Sequence, residues 1–159
     1  MSTLVYSIGH SSRPAESFLV LLRHYDIACV VDVRRYPGSR RHPHFNRGTL
    51  ETSLNDAHVE YVHLGESLGG YRDIDYREYQ ESDAFAAGLL ELEKHAARSR
   101  CAFMCAEKVP WQCHRRFIAE ALLKRGFKVH HILDEETLWD PEELLLGGIM
   151  PKLSRGVSP

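Results

Sequence analysis

The sequence predicts a single α/β domain: a mainly parallel five-stranded sheet with helices on both faces. Three observations carry this. Short apolar runs alternate with helical patterns along the chain, giving β-α-β-α-β-α-β-α-β, which implies parallel strands joined by crossover helices. The chain has 159 residues, 43% hydrophobic and 26% charged, which suits one ordinary globular domain. The third is an asymmetry of loops. The long Gly- and Pro-bearing connections leave one edge of the sheet, whereas the returns near residues 24–28 and 126–127 are short.

Each element has its own local reason. Residues 4–8, Leu-Val-Tyr-Ser-Ile, read as a strand ended by Gly9. Pro14 opens a helix to about Tyr25, with Phe18, Leu21 and Leu22 on one face and Ser12 as its cap. Residues 29–33 form a second, mostly apolar strand ending on Asp32 and Val33, and a long loop follows over residues 34–47. Residues 49–56 suggest a short helix and residues 59–63 a third strand. Residues 64–77 form a second long loop, with Gly65, Gly69 and Gly70. Residues 82–98 place Phe85, Leu89, Leu92 and Ala96 at helical spacing. Residues 101–105 are a buried strand, 112–125 a helix stopped by Gly126, and 128–133 the last strand. The domain spans 1–150, with an acidic final stretch and a loose tail over 151–159.

Composition excludes several classes. Twenty Lys+Arg against 22 Asp+Glu give a formal charge of −2, so a globally basic nucleic-acid coat protein is excluded but a local basic patch is not. No run approaches the ~20 apolar residues of a membrane span, and the N-terminus lacks the basic region of a signal peptide. Cys29, Cys101, Cys105 and Cys113 show no paired framework, which points to free thiols and a cytoplasmic setting. No G-x-G-x-x-G and no G-x-x-x-x-G-K-[ST] occurs, so the fold is Rossmann-like without the dinucleotide fingerprint, and no cofactor is expected.

In open α/β sheets, ligands sit at the carboxyl ends of the strands. Those ends carry His10, Asp32, Arg34, Cys105 and Glu107. His10 follows Gly9 and faces the expected cleft; the plainer reading is a surface histidine in a turn. From Arg34 to Arg47 there are five arginines, two histidines and no acid. Arginine forks suit phosphate oxygens, and Tyr36 and Phe45 could stack a base. The plainer reading is a solvated loop paired with the acidic tail. Asp32 either orients Arg34 or accepts a ligand hydroxyl. Arg72 and Tyr71 follow Gly69-Gly70 in the second loop, which reads equally as a lid or a bare crossover.

Residues 104–116, Met-Cys-Ala-Glu-Lys-Val-Pro-Trp-Gln-Cys-His-Arg-Arg, are the most informative stretch. Cys113, His114, Arg115 and Arg116 fall where a helix should begin. Arginines there oppose the macrodipole unless an anion lies between them. His114 also suits a satisfied core histidine. The Cys105 to Cys113 spacing is poor for zinc, so no metal is expected. Cysteine-nucleophile chemistry is a weaker alternative: a thiol sits at a helix N-terminus, but there is no C-x-x-C and no C-x5-R.

Together these stretches resemble the domain of unknown function 488 family, some members of which are loosely labelled DNA-repair proteins. The matching residues include Ser7-Ile-Gly-His-Ser11, Val31-Asp-Val-Arg34, Pro43-x-Phe45-Asn46, Leu68-Gly-Gly70 with Arg72, Met104-Cys-Ala-Glu107 and Cys113-His-Arg115. The resemblance implies an α/β fold with those motifs around one pocket, and it supplies no reaction. The functional expectation is an anion- or phosphate-binding protein, acting as an enzyme on a nucleotide or nucleic acid, or else a non-catalytic module binding the same ligands. His10, Glu107 and Cys105 are the catalytic candidates. Asp32, Arg34, Arg40, Arg72, Cys113, His114 and Arg115 are the ligand-binding candidates. Arg34, Arg115 and the amides near Cys113 are expected to form one anion site, and losing both arginines should cost little stability.

Overall fold

Residues 3–142 are described by a computed structural model of the chain. The alternation of strands and helices folds as predicted. Strands β1 (Leu4–Gly9), β2 (Cys29–Asp32), β3 (Glu60–His63), β4 (Cys101–Cys105) and β5 (Lys128–Ile132) are parallel, in the order β3-β2-β4-β1-β5. A sixth strand, β6 (Leu138–Trp139), pairs antiparallel with the edge of β5. The sheet is therefore six-stranded and mixed, and the expected five parallel strands form its body.

Alternation along the strands sorts side chains to two faces. Val5, Val31, Phe103 and Val129 meet Leu89 and Leu92 of α5 (Asp83–Arg98) and Ile118 and Leu122 of α6 (Arg115–Lys124). Tyr6, Ile8, Val30, Met104 and Ile132 meet Phe18 and Leu22 of α1 (Ala15–His24) and Leu50 and Leu54 of α2 (Arg47–Asp56). All five residues of β4 are buried, as the centre of a parallel sheet requires.

This layering opens the cleft. β1 and β4 are neighbours, yet α1 follows β1 on one face and α6 follows β4 on the other. Chains that part to opposite faces leave a crevice at the carboxyl ends of the strands. Hydrogen bonding continues past the strand ends, with His10 N–H donating to the Cys105 carbonyl at 2.9 Å and Ser11 N–H to that of Ala106 at 2.9 Å. Gly9 is required here because a Cβ would lie 1.7 Å from the Glu107 carbonyl oxygen.

Several local expectations are corrected. α1 begins after Pro14 without a side-chain cap, so Ser12 does not cap it and lies at the cleft. Pro110 starts a separate 3-10 turn, Pro110–Gln112, and α6 opens only at Arg115. The second long loop holds two one-turn helices, α3 (Gly65–Leu68) and α4 (Tyr76–Tyr79). The loose tail expected over 151–159 lies outside the described residues.

Candidate functional site

A cleft of about 860 Å³ lies at the carboxyl edge of the sheet. His10 and Ser11 line it from the end of β1, Cys105 and Glu107 from the end of β4, and Cys113 and His114 from the approach to α6. The loop after β2 supplies Arg34, Tyr36, Arg40 and Arg41, and Tyr71 comes from the loop after β3. Of the predicted residues, the structure thus brings His10, Arg34, Arg40, Cys105, Glu107, Cys113 and His114 to one cavity. Asp32, Arg72 and Arg115 do not line it.

The buried arginines are engaged within the protein. Arg34 Nε and Nη2 donate to the two carboxylate oxygens of Asp32 at 2.9 and 2.7 Å. Its Nη1 donates to the Phe45 carbonyl at 2.8 Å. Asp32, fully buried, also accepts the Tyr61 hydroxyl at 2.6 Å. Burial, with Asp32 adding to it, pushes the Tyr61 phenol well above its ordinary range. This pair is a buried clamp joining β2, β3 and the arginine-rich loop. Arg72 donates to the Gly69 carbonyl at 2.9 Å and to the Glu66 carbonyl, and packs over the Tyr79 ring at 4.1 Å. It closes the end of α3.

Arg115 is the most buried of the three, with no exposed surface. Its Nη1 donates to Ser7 Oγ at 2.9 Å, its Nη2 to the carbonyls of Glu107 and Lys108, and its Nε to Cys105 Sγ at 3.0 Å. Ser7 Oγ in turn contacts His131 Nδ1. The guanidinium is therefore buried behind the cleft-lining Cys105 and Glu107 and does not itself line the cleft. The expected anion site of Arg34, Arg115 and the amides near Cys113 does not exist in that form. No carboxylate among the described residues reaches Arg115, and the nearest acids are the thiols of Cys105 and Cys113. Burying a permanent cation without a counter-charge is costly. Against the burial that opposes it, the neighbouring Cys105 and Cys113 favour the charged guanidinium.

The two thiols differ in access. Cys105 lines the cleft but is only 2% exposed, and burial pushes its thiol well up. Cys113 is partly exposed to the cleft, and a hydrogen bond from Cys105 holds its thiol well below the usual cysteine range. The Arg115 backbone N–H donates to Cys113 Sγ at 3.4 Å. His114 Nδ1 lies 3.6 Å from the same sulfur, and its Nε2–H donates to the Val33 carbonyl at 3.1 Å, which orients the ring. Thiol, imidazole and orienting carbonyl are thus linked in one chain of contacts. Cys105, expected as a catalytic group, and Cys113, expected as a ligand contact, both line the cleft, and Cys113 is the more exposed of the two.

His10 is 4% exposed and stacks on Phe45, with ring centroids 4.3 Å apart. Phe45 is therefore core and cannot stack a base. His10 Nδ1–H donates to the Ser11 carbonyl at 2.8 Å, leaving the Nε2 lone pair facing Arg34 Nη1 at 3.4 Å. Burial lowers its pKa to about 4, so the ring stays neutral and is a weak base. The unfolded chain takes up this proton below about pH 6.5, while the fold refuses it until about pH 4. Stability should fall through that window by about 1.4 kcal/mol per pH unit for this one group. His131, pushed well down by burial, acts in the same direction. Urea unfolding at pH 7 and pH 5 measures the loss, and His10→Gln should flatten it.

Arg40, Arg41, Tyr36 and Tyr71 are exposed on the cleft wall. The Tyr36 and Tyr71 rings lie 6.2 Å apart and are 66% and 86% exposed. Arg35 ties them, donating to the Tyr71 carbonyl at 2.8 Å and packing 5.4 Å from the Tyr36 ring. Tyr71 holds φ 58°, a left-handed conformation that turns its side chain outward. Arg40 and Arg41 form no ion pair among the described residues. Glu107, just past the end of β4, is exposed in the same cleft.

At the other end of the sheet, Cys29, Glu60 and His95 place ligand atoms within 4.8 Å of one another. Arg98 already occupies that cluster, donating to His95 Nδ1 at 2.8 Å and to Glu60 at 3.1 Å. A cation there has taken the donors a metal would need. No helix of the described residues is long and apolar enough to cross a membrane.

The chain matches no curated protein and no solved structure. Of the shared motifs, His10, Ser11, Arg34, Gly70, Cys105, Glu107, Cys113 and His114 line the cleft, and Asp32, Arg72 and Arg115 do not. A family model described as a domain of unknown function, DUF488, matches residues 14–122, and the chain belongs to that family.

Proposed function

We propose that the cleft binds a phosphate-bearing ligand, a nucleotide or a short single-stranded nucleic acid, and presents it to Cys113. The observation that carries this is the pairing of two exposed tyrosine rings with two exposed arginines, which form no ion pair among the described residues, on one wall of the cleft. Rings in that position suit a base face, and free guanidinium forks suit phosphate oxygens. Such a ligand would lay its anionic part on the loop over residues 38–42 and its reacting part on the floor, away from the acidic Glu107. The Cys113–His114 pair favours an enzyme over a passive binding module, with the thiolate as nucleophile and the imidazole taking or returning a proton. Four free thiols suit a reducing, cytoplasmic setting.

Calorimetry with a nucleotide panel and short DNA and RNA tests the reading. Arg40→Ala/Arg41→Ala should weaken binding at least tenfold, since each charged hydrogen bond contributes about 1.5–3 kcal/mol. The melting temperature should stay unchanged, because both side chains are exposed. Tyr36→Ala/Tyr71→Ala should cost about 1–3 kcal/mol per stacked base. Wild-type protein that binds nothing in the panel, or a double arginine variant that binds normally, defeats the proposal.

A further inference from the structure

A cleft that held phosphate alone would gain nothing from an acid. Glu107 is the one acid among the described residues that line this cleft, against Arg34, Arg35, Arg40 and Arg41. Its side chain is exposed and forms no ion pair among the described residues. Its backbone, by contrast, is fixed. The Glu107 carbonyl accepts Arg115 Nη2, and Gly9 packs against it where no Cβ would fit. Ser11 N–H donates to the preceding carbonyl, that of Ala106, at 2.9 Å. The fold thus sets an unengaged carboxylate on a held support at the cleft.

Sheet order decides what lies beside it. Across the carboxyl edge the strand ends run β3, β2, β4, β1. Tyr71 follows β3, and Tyr36, Arg40 and Arg41 follow β2, so the wall of rings and arginines rises from that half of the edge. Glu107 follows β4, the next strand along. Strands lie about 4.8 Å apart, so its support starts about 5–10 Å from the ends that carry the wall, the scale of one sugar ring with its substituents. In a nucleotide the sugar joins base to phosphate. A base on the tyrosines and a phosphate on the arginines leave the sugar hydroxyls for the remaining polar group. An ionised carboxylate only accepts hydrogen bonds, through two oxygens side by side. It repels phosphate and suits two adjacent hydroxyls.

We propose that Glu107 reads the sugar: its carboxylate accepts the 2′- and 3′-hydroxyls of a ribose. The ligand is then a 5′-phosphorylated ribonucleoside with both hydroxyls free. A deoxyribonucleotide lacks one of the two donors, and a nucleotide within a chain has its 3′-oxygen esterified. This inference rests on the phosphate-ligand reading above and narrows it to one sugar. It also gives the lone acid of the cleft a use that phosphate binding does not. The 2′-hydroxyl is the group by which a protein separates ribose from deoxyribose.

The test is calorimetry on the full chain with the four common ribonucleoside 5′-monophosphates, each beside the 2′-deoxy compound of the same base. The wild type should bind the ribose form of its preferred base at least about tenfold more tightly, the order of one hydrogen bond to a charged group. Glu107→Ala should bring the ribose form down to the level of the deoxy form. Its melting temperature should stay near that of the wild type, because the side chain is exposed and Arg115 holds the backbone carbonyl, which alanine keeps. Equal binding of the two sugars by the wild type overturns the proposal and leaves the phosphate reading standing. A Glu107→Ala variant that weakens both sugars by one factor, or that changes the preferred base and keeps the ribose preference, also overturns it; the second result would assign the carboxylate to a base amino group. A wild type that binds none of the eight compounds overturns both readings. The wild-type ratio decides even where the variant fails to fold.

Discussion

Arg115→Met is expected to lower the unfolding free energy by about 3–5 kcal/mol, the range for removing one partner of a buried charged network. Methionine replaces much of the stem but none of the donors. The carbonyls of Glu107 and Lys108 lose their partner, and each buried orphan acceptor costs about 1–3 kcal/mol. Ser7 Oγ loses a donor at 2.9 Å, and the thiol pair loses its cation. One term opposes this: removing a cation from the first turn of α6 relieves about 0.3–1 kcal/mol of macrodipole repulsion. The orphaned acceptors outweigh it. Urea denaturation of the reduced protein measures the balance, and near-wild-type stability would show that the guanidinium is not structural.

The second large effect belongs to Asp32. Its carboxylate accepts Arg34 N–H at 3.1 Å, Arg34 Nε at 2.9 Å, Arg34 Nη2 at 2.7 Å and the Tyr61 hydroxyl at 2.6 Å. Asp32→Asn keeps the shape and removes the charge, leaving the Arg34 cation 7% exposed without a counter-ion. A loss of about 3–5 kcal/mol follows. Tyr61→Phe removes one hydrogen bond and should cost about 1 kcal/mol. Asp32→Asn/Arg34→Met should recover part of the single-variant loss, because it removes the stranded charge as well. Chemical denaturation of the three variants distinguishes charge isolation from packing: no recovery in the double variant would mean that shape, not charge, holds the clamp.

Much of this was legible in the sequence. The five parallel strands announce themselves as apolar runs, and Ser82 was readable as the start of α5, where its hydroxyl accepts the Phe85 N–H. β6 was not legible, because two residues carry no periodicity. The strand-end placement of His10, Asp32, Cys105 and Glu107 follows from the alternation alone. What the chain order hides is which arginines face inward. Arg115 meets Ser7 across 108 positions, and Tyr61 meets Asp32 across 29; only the sheet order brings such partners together. Ser7, Lys108 and His131 were missed for the same reason. Each is a polar residue in or beside a strand, and only its depth reveals the network. That Cys113 is more exposed than Cys105 is likewise a matter of depth, since both look like cysteines beside the same edge.

Cys105, His114 and Arg115 together hold the Cys113 thiol well below the usual cysteine range at the cleft. The direct measurement is the rate of Cys113 alkylation by iodoacetamide as a function of pH, read by mass spectrometry of the peptide carrying it. An ordinary thiol titrates near about 8.5, so its rate climbs steeply from neutral to mildly alkaline pH. Here the rise should come at distinctly lower pH than for a free cysteine, because neighbours hold the Cys113 thiol down. A rate for Cys113 that keeps rising through pH 8 and 9, like that of a free cysteine, would contradict the account.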